Sequence, residues 1–247
     1  KPMIVWHIEA LAKAGVRRIA INTAWLEAQF PEQLGDGRRF GVELHYSMEG
    51  RDHGQALETA GGMAKAMPWL TAQGETAFWM VSGDIYAPDF TYDAHVAQAF
   101  AQGPDLAQLW VVPNPSYHPT GDFGISAEGL GLFDQAGADG RRWTYANLGL
   151  CKPGLVTGVP SDQPLPLRPV FQREMAAGRP GLMTKVGLET FVDPRIEGAK
   201  VNAAATEDLV EVVHLDGEEW LYFRNPKVDV ALLRGSYADE NGNVSMA

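Results

Sequence analysis

The sequence predicts an α/β fold built on a mostly parallel sheet that is covered on both faces. Helical and strand patterns alternate through the first two thirds of the 247 residues, and several of the strand segments read as buried. The spacing also leaves room for a helix between successive strands.

Each element can be justified in turn. "IVWHIEALAKAG" sets Ile4, Ile8 and Leu11 on one helical face, and Gly15 is a natural stop. "RRIAIN" reads as a short buried strand, and "AWLEAQFPEQLGDG" as a helix that Pro31 would kink. "GVELHYS" alternates as a strand, "LETAGGMAKAMPWL" is a helix, and "TAFWMVSGD" is the most apolar strand signal, ending in an acidic turn. "YDAHVAQAFAQG" and "LAQLWVVPN" repeat the helix-strand order.

From Pro113 to Leu150 the pattern changes to short strands and turns, which predicts an antiparallel insertion beside the parallel core. "LPLRPVFQREMAAG" returns to helix, and a loop-rich passage follows Gly181. "LVEVVHLDG" and "EEWLYFRN" form a predicted hairpin across Asp216-Gly217. "KVDVALLRGSYADENGNVSMA" then reads as a buried strand and a polar loop.

Composition narrows the function classes. Hydrophobic residues are 45% and charged residues 21%, the balance of an ordinary globular protein. A formal net charge of −11 weighs against a nucleic-acid partner, while a small anion could still find a locally positive site. No apolar run reaches membrane-spanning length. A single cysteine, Cys151, leaves no internal disulfide and is expected of a cytoplasmic protein. No secretory signal is read at the start, and nothing sets an oligomeric state. The chain opens inside an amphipathic helix, so residues are expected to be missing upstream.

Two segments stand out chemically. In "VSGDIYAPDF", Asp84 follows a buried strand, where open α/β sheets bind ligands, and a carboxylate there could hold a divalent cation on a phosphate. The bland alternative is that Asp84 caps its turn. In "ALETAGGM", Gly61 and Gly62 near a helix start would let a ligand approach free N–H groups, although Glu58 or Thr59 could be an ordinary cap. The six histidines lack metal-ligand spacing. Ser82 lacks the Gly-x-Ser-x-Gly elbow, and Cys151 reads as a core residue at a strand end.

Taken together, "KPMIVWHIEALAKAG", "IAINTAWL", "LGDGRRFGVELHYSMEG", "ALETAGGM", "VSGDIY", "NPSYHPTGDFGI" and "RPVFQREMAAGRPG" resemble the sugar-1-phosphate nucleotidyltransferases, closest to the N-acetylmuramate 1-phosphate uridylyltransferase and mannose-1-phosphate guanylyltransferase-like members. The resemblance runs in order from Lys1 to about Gly181. It implies a Rossmann-like fold with a mixed central sheet, and attack of a sugar 1-phosphate on the α-phosphate of a nucleoside triphosphate with release of pyrophosphate. Mg²⁺ is the implied cofactor, with Asp84 as a ligand. Ala56, Leu57, Thr59, Gly61 and Gly62 would line base and ribose, and Asn114, Gly121, Asp122 and Asn147 would meet the sugar phosphate.

This sequence departs from that family in two places. The Gly-x-Gly-x-Arg loop and its Pro-Lys-Pro segment are not present, and Lys1-Pro2 fits a later Gly-Lys-Pro-Leu position. The second metal-binding Asp, in a Trp-x-Asp-Val-Gly segment, is replaced by "LMTKVGLETFVDPR". The implied activity is therefore expected to be lost in this chain; a non-catalytic module that keeps nucleotide or sugar-phosphate affinity is a separate alternative.

"GLMTKVGLETFVDPR", "EGAKVN", "GEEWLYF" and "VDVALLRGSYADENGNVSM" resemble the family I CoA-transferases, with Glu189 in place of the usual Gly. That family's catalytic glutamate lies farther downstream, so residues 181–247 resemble a partial α/β CoA-transferase segment without its chemistry. The expected organisation is a nucleotidyltransferase-like domain over 1–180 and a CoA-transferase-like fragment over 181–247, joined as a chimera. The tail is expected to dock loosely or to expose an apolar face. A CoA-transferase identity for the whole is the alternative.

Overall fold

The computed structural model describes residues 1–177 and, beyond them, the backbone of strands at 180–184, 210–215, 218–223, 230–234, 237–238 and 244–245. The elements follow in chain order: α1 (Met3–Lys13), β1 (Arg18–Thr23), α2 (Gln29–Leu34), β2 (Glu43–Met48), α3 (Glu49–His53), α4 (Glu58–Leu70), β3 (Phe78–Ser82), α5 (Ala94–Gln102) and β4 (Ala107–Val112). Next come β5 (Phe123–Ile125), β6 (Gly131–Phe133), β7 (Thr144–Cys151), α6 (Leu167–Ala176) and β8 (Pro180–Thr184). The last are β9 (Val210–Leu215), β10 (Glu218–Phe223), β11 (Val230–Arg234), β12 (Tyr237–Ala238) and β13 (Val244–Ser245).

Seven strands form one sheet in the order β2-β1-β11-β3-β7-β4-β8. All run parallel except β7, which is antiparallel to β3 and β4. The mixed, mostly parallel sheet is therefore the one expected, and the change of pattern after Pro113 corresponds to β7 and the small β5–β6 hairpin.

Strand alternation divides the core between the two faces. Ile19, Ile21, Trp79 and Val81 pack with Ile4, Ile8 and Leu11 of α1 on one side. Ala20, Phe78, Met80 and Leu109 pack with Met63 and Leu70 of α4 and Phe171 of α6 on the other. Pro31 causes no kink, because α2 begins only at Gln29 and proline in a first turn removes no helical hydrogen bond. Among the described residues no helix is long and apolar enough to cross a membrane.

The tail differs from expectation in two strands: Pro180–Thr184 extends the main sheet beyond β4, and a later strand enters its middle. The hairpin forms, with Val210–Leu215 antiparallel to Glu218–Phe223, while its Asp216-Gly217 turn lies outside the described residues. The next strand is not loosely docked. Val230–Arg234 lies inside the seven-stranded sheet, parallel to β1 on one side and to β3 on the other. A buried apolar strand satisfies its backbone only when both edges are paired, and the gap between β1 and β3 supplies both. The sheet thus draws strands from both sides of position 180.

Trp79, on β3 beside β11, is 1% exposed and meets Tyr92 and Trp110 at centroid separations of 5.1 and 5.3 Å. Trp79→Ala should destabilise the protein by about 3–5 kcal/mol, read as a lower urea midpoint at an unchanged pH.

Candidate functional site

The parallel strands all end on one edge of the sheet, and the polar residues gather there. Asn22 and Thr23 close β1, Glu49 follows β2, Asp84 follows β3 and Asn114 follows β4, while antiparallel β7 brings Thr144 and Tyr145 to the same edge. Ligands of open α/β sheets bind in this crevice because loops diverge there and leave backbone groups uncovered.

A cavity of about 490 Å³ opens at the ends of β1 and β2, lined by Asn22, Trp25, Glu27, Glu49, Gln55 and Ala56 among others. Its wall is held by carboxylates accepting backbone N–H bonds. Glu27 accepts from Gly50 at 2.8 Å and Arg51 at 2.7 Å, which satisfies the first turn of α3. Glu49, 5% exposed, accepts from Leu57 N–H at 2.7 Å. A Cβ on Gly62 would come within 2.3 Å of Glu49 Oε1 and 2.5 Å of Asn22 Nδ2, so only glycine lets α4 approach them. Asn22 Oδ1 and neighbouring Ser47 Oγ are buried and make no hydrogen bond among the described residues.

The five positions assigned to base and ribose separate into two groups. Ala56 lines the cavity, whereas Leu57, Gly61 and Gly62 are buried behind its wall and Thr59 is half-buried. The start of α4 does not offer the free N–H groups expected of it. Ala60 and Gly61 both donate to Leu165 O, at 2.9 and 3.2 Å, and Leu57 occupies the N-cap without a side-chain cap. A Cβ on Gly61 would stand 2.5 Å from Gln163 O. These glycines serve packing within the chain.

Asn22, Glu27 and Glu49 are missing from the sequence-based assignment. The polar Asn22-Thr23 pair closing an otherwise apolar strand was the available signal. Glu27 and Glu49 carry no local signal, because their partners are distant in sequence.

At β4 and β7, three of the four positions assigned to the sugar phosphate meet. Asn114 Nδ2 donates to Pro119 O at 3.0 Å and Arg142 O at 3.1 Å, and its Oδ1 accepts from Thr144 at 2.9 Å. Asp122 accepts from Tyr145 N–H at 2.8 Å and pairs with His118 Nε2 at 3.2 Å. Gly121, at φ +63°, lies against Asn114, since a Cβ there would meet its Oδ1 at 2.6 Å. A cavity of about 450 Å³ adjoins them, with Asn114, Thr120, Arg141 and Arg142 in its wall. Asn147 stands apart on β7 at φ +56°, where β7 slips in register against β4. Asn tolerates that left-handed conformation better than most residues.

Asp84 is half-buried just past β3, in a loop anchored by His7 of α1. His7 Nε2 is 2.7 Å from Ile85 O, and its Nδ1 is 2.9 Å from Tyr92 OH. A carbonyl only accepts, so Nε2 carries the proton and Nδ1 accepts from Tyr92. Among the described residues no three His, Cys, Asp or Glu side chains converge as a metal cage. A single carboxylate still suits Mg²⁺, which keeps waters and takes phosphate oxygens. Cys151 is fully buried and its thiol pKa is pushed well up by burial, so it is no nucleophile.

An open, mostly parallel sheet covered by helices on both faces, with polar side chains gathered at its carboxyl edge, defines a protein of the doubly covered α/β class. More particularly, the chain belongs to the nucleotidyl transferase family, whose model matches residues 1–129. The N-acetylmuramate alpha-1-phosphate uridylyltransferase of Neisseria meningitidis serogroup B is 35% identical over 189 residues, covering 76% of this chain and 78% of that protein. The Coenzyme A transferase model matches residues 172–247. Over 73 residues the chain is 63% identical to the caffeate CoA-transferase of Acetobacterium woodii, covering 30% of this chain but only 14% of that relative.

Two solved structures share the fold. The inositol-1-phosphate CTP transferase from T. maritima matches with a TM-score of 0.52 and 15% identity, covering 74% of this chain and 72% of that one. HddC from Yersinia pseudotuberculosis matches at 0.54 and 15%, covering 73% and 75%.

Burial lowers the pKa of His7 below its ordinary 6.5, against the opposing pull of the Ile85 carbonyl and Asp84. The unfolded chain therefore binds this proton more readily than the folded one. Its contribution to stability is complete above pH 6.5 and is lost as pH falls through 6.5 toward the lower folded value. The melting temperature should fall on acidification across this range, and His7→Gln should flatten the fall. Part of the slope should remain, because His45, stacked on Trp69, is lowered by burial as well.

Proposed function

We propose that this chain binds a nucleoside triphosphate and a sugar 1-phosphate in the manner of its family. The reaction class is attack of the sugar phosphate on the α-phosphate with release of pyrophosphate. The supporting observation is the line of polar positions along one sheet edge, from Asn22 and Glu49 past Asp84 to Asn114 and Asp122. The nucleoside takes the cavity at Asn22, Glu49 and Ala56, with Leu57, Thr59, Gly61 and Gly62 shaping it from behind. Asn114, Gly121, Asp122 and Asn147 belong to the sugar-phosphate side, where Arg141 in the neighbouring wall attracts an anion while Arg142 is engaged by Asp134 and Asp122 O.

Asp84 would hold Mg²⁺, which offsets phosphate charge when bound. Glu27 and Glu49 fix the loops beside the nucleoside, while Asn22 Oδ1 lies buried behind the wall. A cytoplasmic setting goes with this reading. The sequence boundary at 180–181 marks two ancestries within the chain.

In this reading no turnover by this chain is expected. Among the described residues, the wall of the first cavity carries Glu27 and Glu49 and no lysine or arginine. Lys65, the nearby cation on α4, is tied to Asp52 at 2.6 Å and to Met48 O at 2.8 Å. One missing electrostatic contact can cost about 10²–10³ in rate.

The test is pyrophosphate release with Mg²⁺, UTP or GTP, and N-acetylmuramate, glucose or mannose 1-phosphate, beside calorimetric titration of each nucleotide. Binding is expected without pyrophosphate release over repeated turnovers, and Asp84→Asn should abolish the Mg²⁺ dependence of binding. Repeated release by this chain would overturn the expected inactivity. Failure to bind either nucleotide would sink the assignment. Acyl-CoA exchange in the same preparation would favour the Coenzyme A transferase reading, which the 63% identity of the tail supports.

A further inference from the structure

We propose that Trp25 is the platform on which the base of the nucleotide stacks, and that it sets the preference among bases. The inference rests on the nucleoside site proposed above and names the group that recognises the ring.

Trp25 lines the first cavity just past β1 and is 61% exposed. Among the described residues the other tryptophans are all engaged. Trp6, Trp69, Trp79 and Trp110 each meet another ring, and the Trp143 N–H donates to Asp139. Trp25 has neither a ring contact nor a hydrogen bond, and it belongs to neither core cluster. An indole left in this state keeps a large apolar face in water, and a flat ligand would cover it.

The loop holds that face in place. Glu27 accepts from the Gly50 and Arg51 amides, and Leu26 O accepts from Gln29 N–H at 3.0 Å. The Ala24 carbonyl lies so close to Gly50 that a Cβ there would stand 2.4 Å from its oxygen. Between these anchors Leu26 takes φ +51°, which is unfavourable for a bulky side chain, and it is 41% exposed. A strained turn fixed on both sides, with two large apolar groups exposed beside a cavity, is organised in advance for a ligand.

Position decides which part of the ligand stacks. In the sheet order β1 and β4 are four strand spacings apart, about 19 Å at ~4.8 Å each, with β3 midway. Asn114 and Asp122, assigned to the sugar phosphate, stand toward β4, and Asp84 follows β3. A nucleotide with its phosphates on Mg²⁺ at Asp84 and its acceptor beside Asn114 therefore carries its base toward Trp25. Every base has a π-face to offer, and guanine covers more of an indole than uracil does.

The experiment uses the full chain, with Trp25→Ala and Trp25→Phe, titrated with uridine, guanosine, Mg²⁺–UTP, Mg²⁺–GTP and Mg²⁺–tripolyphosphate. All three proteins should melt at the same temperature, because the side chain is exposed. Trp25→Ala should weaken uridine and UTP about 5-fold or more, guanosine and GTP further still, and tripolyphosphate not at all. Trp25→Phe should recover most of the loss, since a ring without an N–H still stacks. Equal nucleotide affinity in wild type and Trp25→Ala overturns the inference and leaves the site assignment standing. It is overturned equally when tripolyphosphate weakens alongside the nucleotides, or when Phe does no better than Ala. A lower melting temperature of Trp25→Ala would make Trp25 a packing residue, with the same consequence. A wild type that binds neither nucleotide removes the site assignment itself, and the role of Trp25 with it.

Discussion

A strand inside a parallel sheet must be paired along both edges, and at the middle of this sheet that demand falls on Val230–Arg234. Its neighbours β1 and β3 carry several of the largest fully buried side chains among the described residues, including Ile19, Ile21, Phe78 and Trp79. Helix α4 spans β2, β1 and β11 from one side, and α1 packs against β1 and β3 from the other. Both layers presuppose a continuous sheet beneath them. Left open, the facing edges of β1 and β3 would expose two rows of unpaired amides and carbonyls in the centre of the core.

The loops above this sheet are fixed by carboxylates turned to structural use. Glu27 holds the first turn of α3, Glu49 holds Leu57, and Asp122 holds Tyr145. Each accepts a backbone N–H that would otherwise be orphaned, and such bonds to a charged acceptor are stronger than neutral ones. The result is an acidic rim at the ends of β1 and β2, in which Glu27 and Glu49 are both engaged by backbone groups.

Much of the architecture was legible because it is local. Periodicity marked each major helix and strand, the apolar run "TAFWMVS" located β3, and Asp84 followed from its position just beyond it. What could not be read was set by partners far away in the chain. Leu165 takes the N–H groups that α4 was expected to offer a ligand, and Gln163 closes the space beside Gly61. Helix α2 starts only at Gln29, which puts Pro31 harmlessly in a first turn, after a loop whose Ala24 carbonyl lies close against Gly50. The place of β11 was hidden for the same reason. "VDVALLRG" announces a buried strand, but no local pattern says between which two others it will lie.

The pairing of Arg18 with Val230 has a consequence for how the protein is made. Synthesis is directional, so β1 and β3 leave the ribosome long before the strand that separates them. At ordinary elongation rates the interval is about 10–30 s, far longer than a helix or hairpin needs to form. During that time the nascent chain holds two apolar strands whose proper neighbour does not yet exist, and their simplest error is to pair with each other or with another chain. Soluble yield should therefore depend on chaperone capture during this interval more than on the stability of the finished protein.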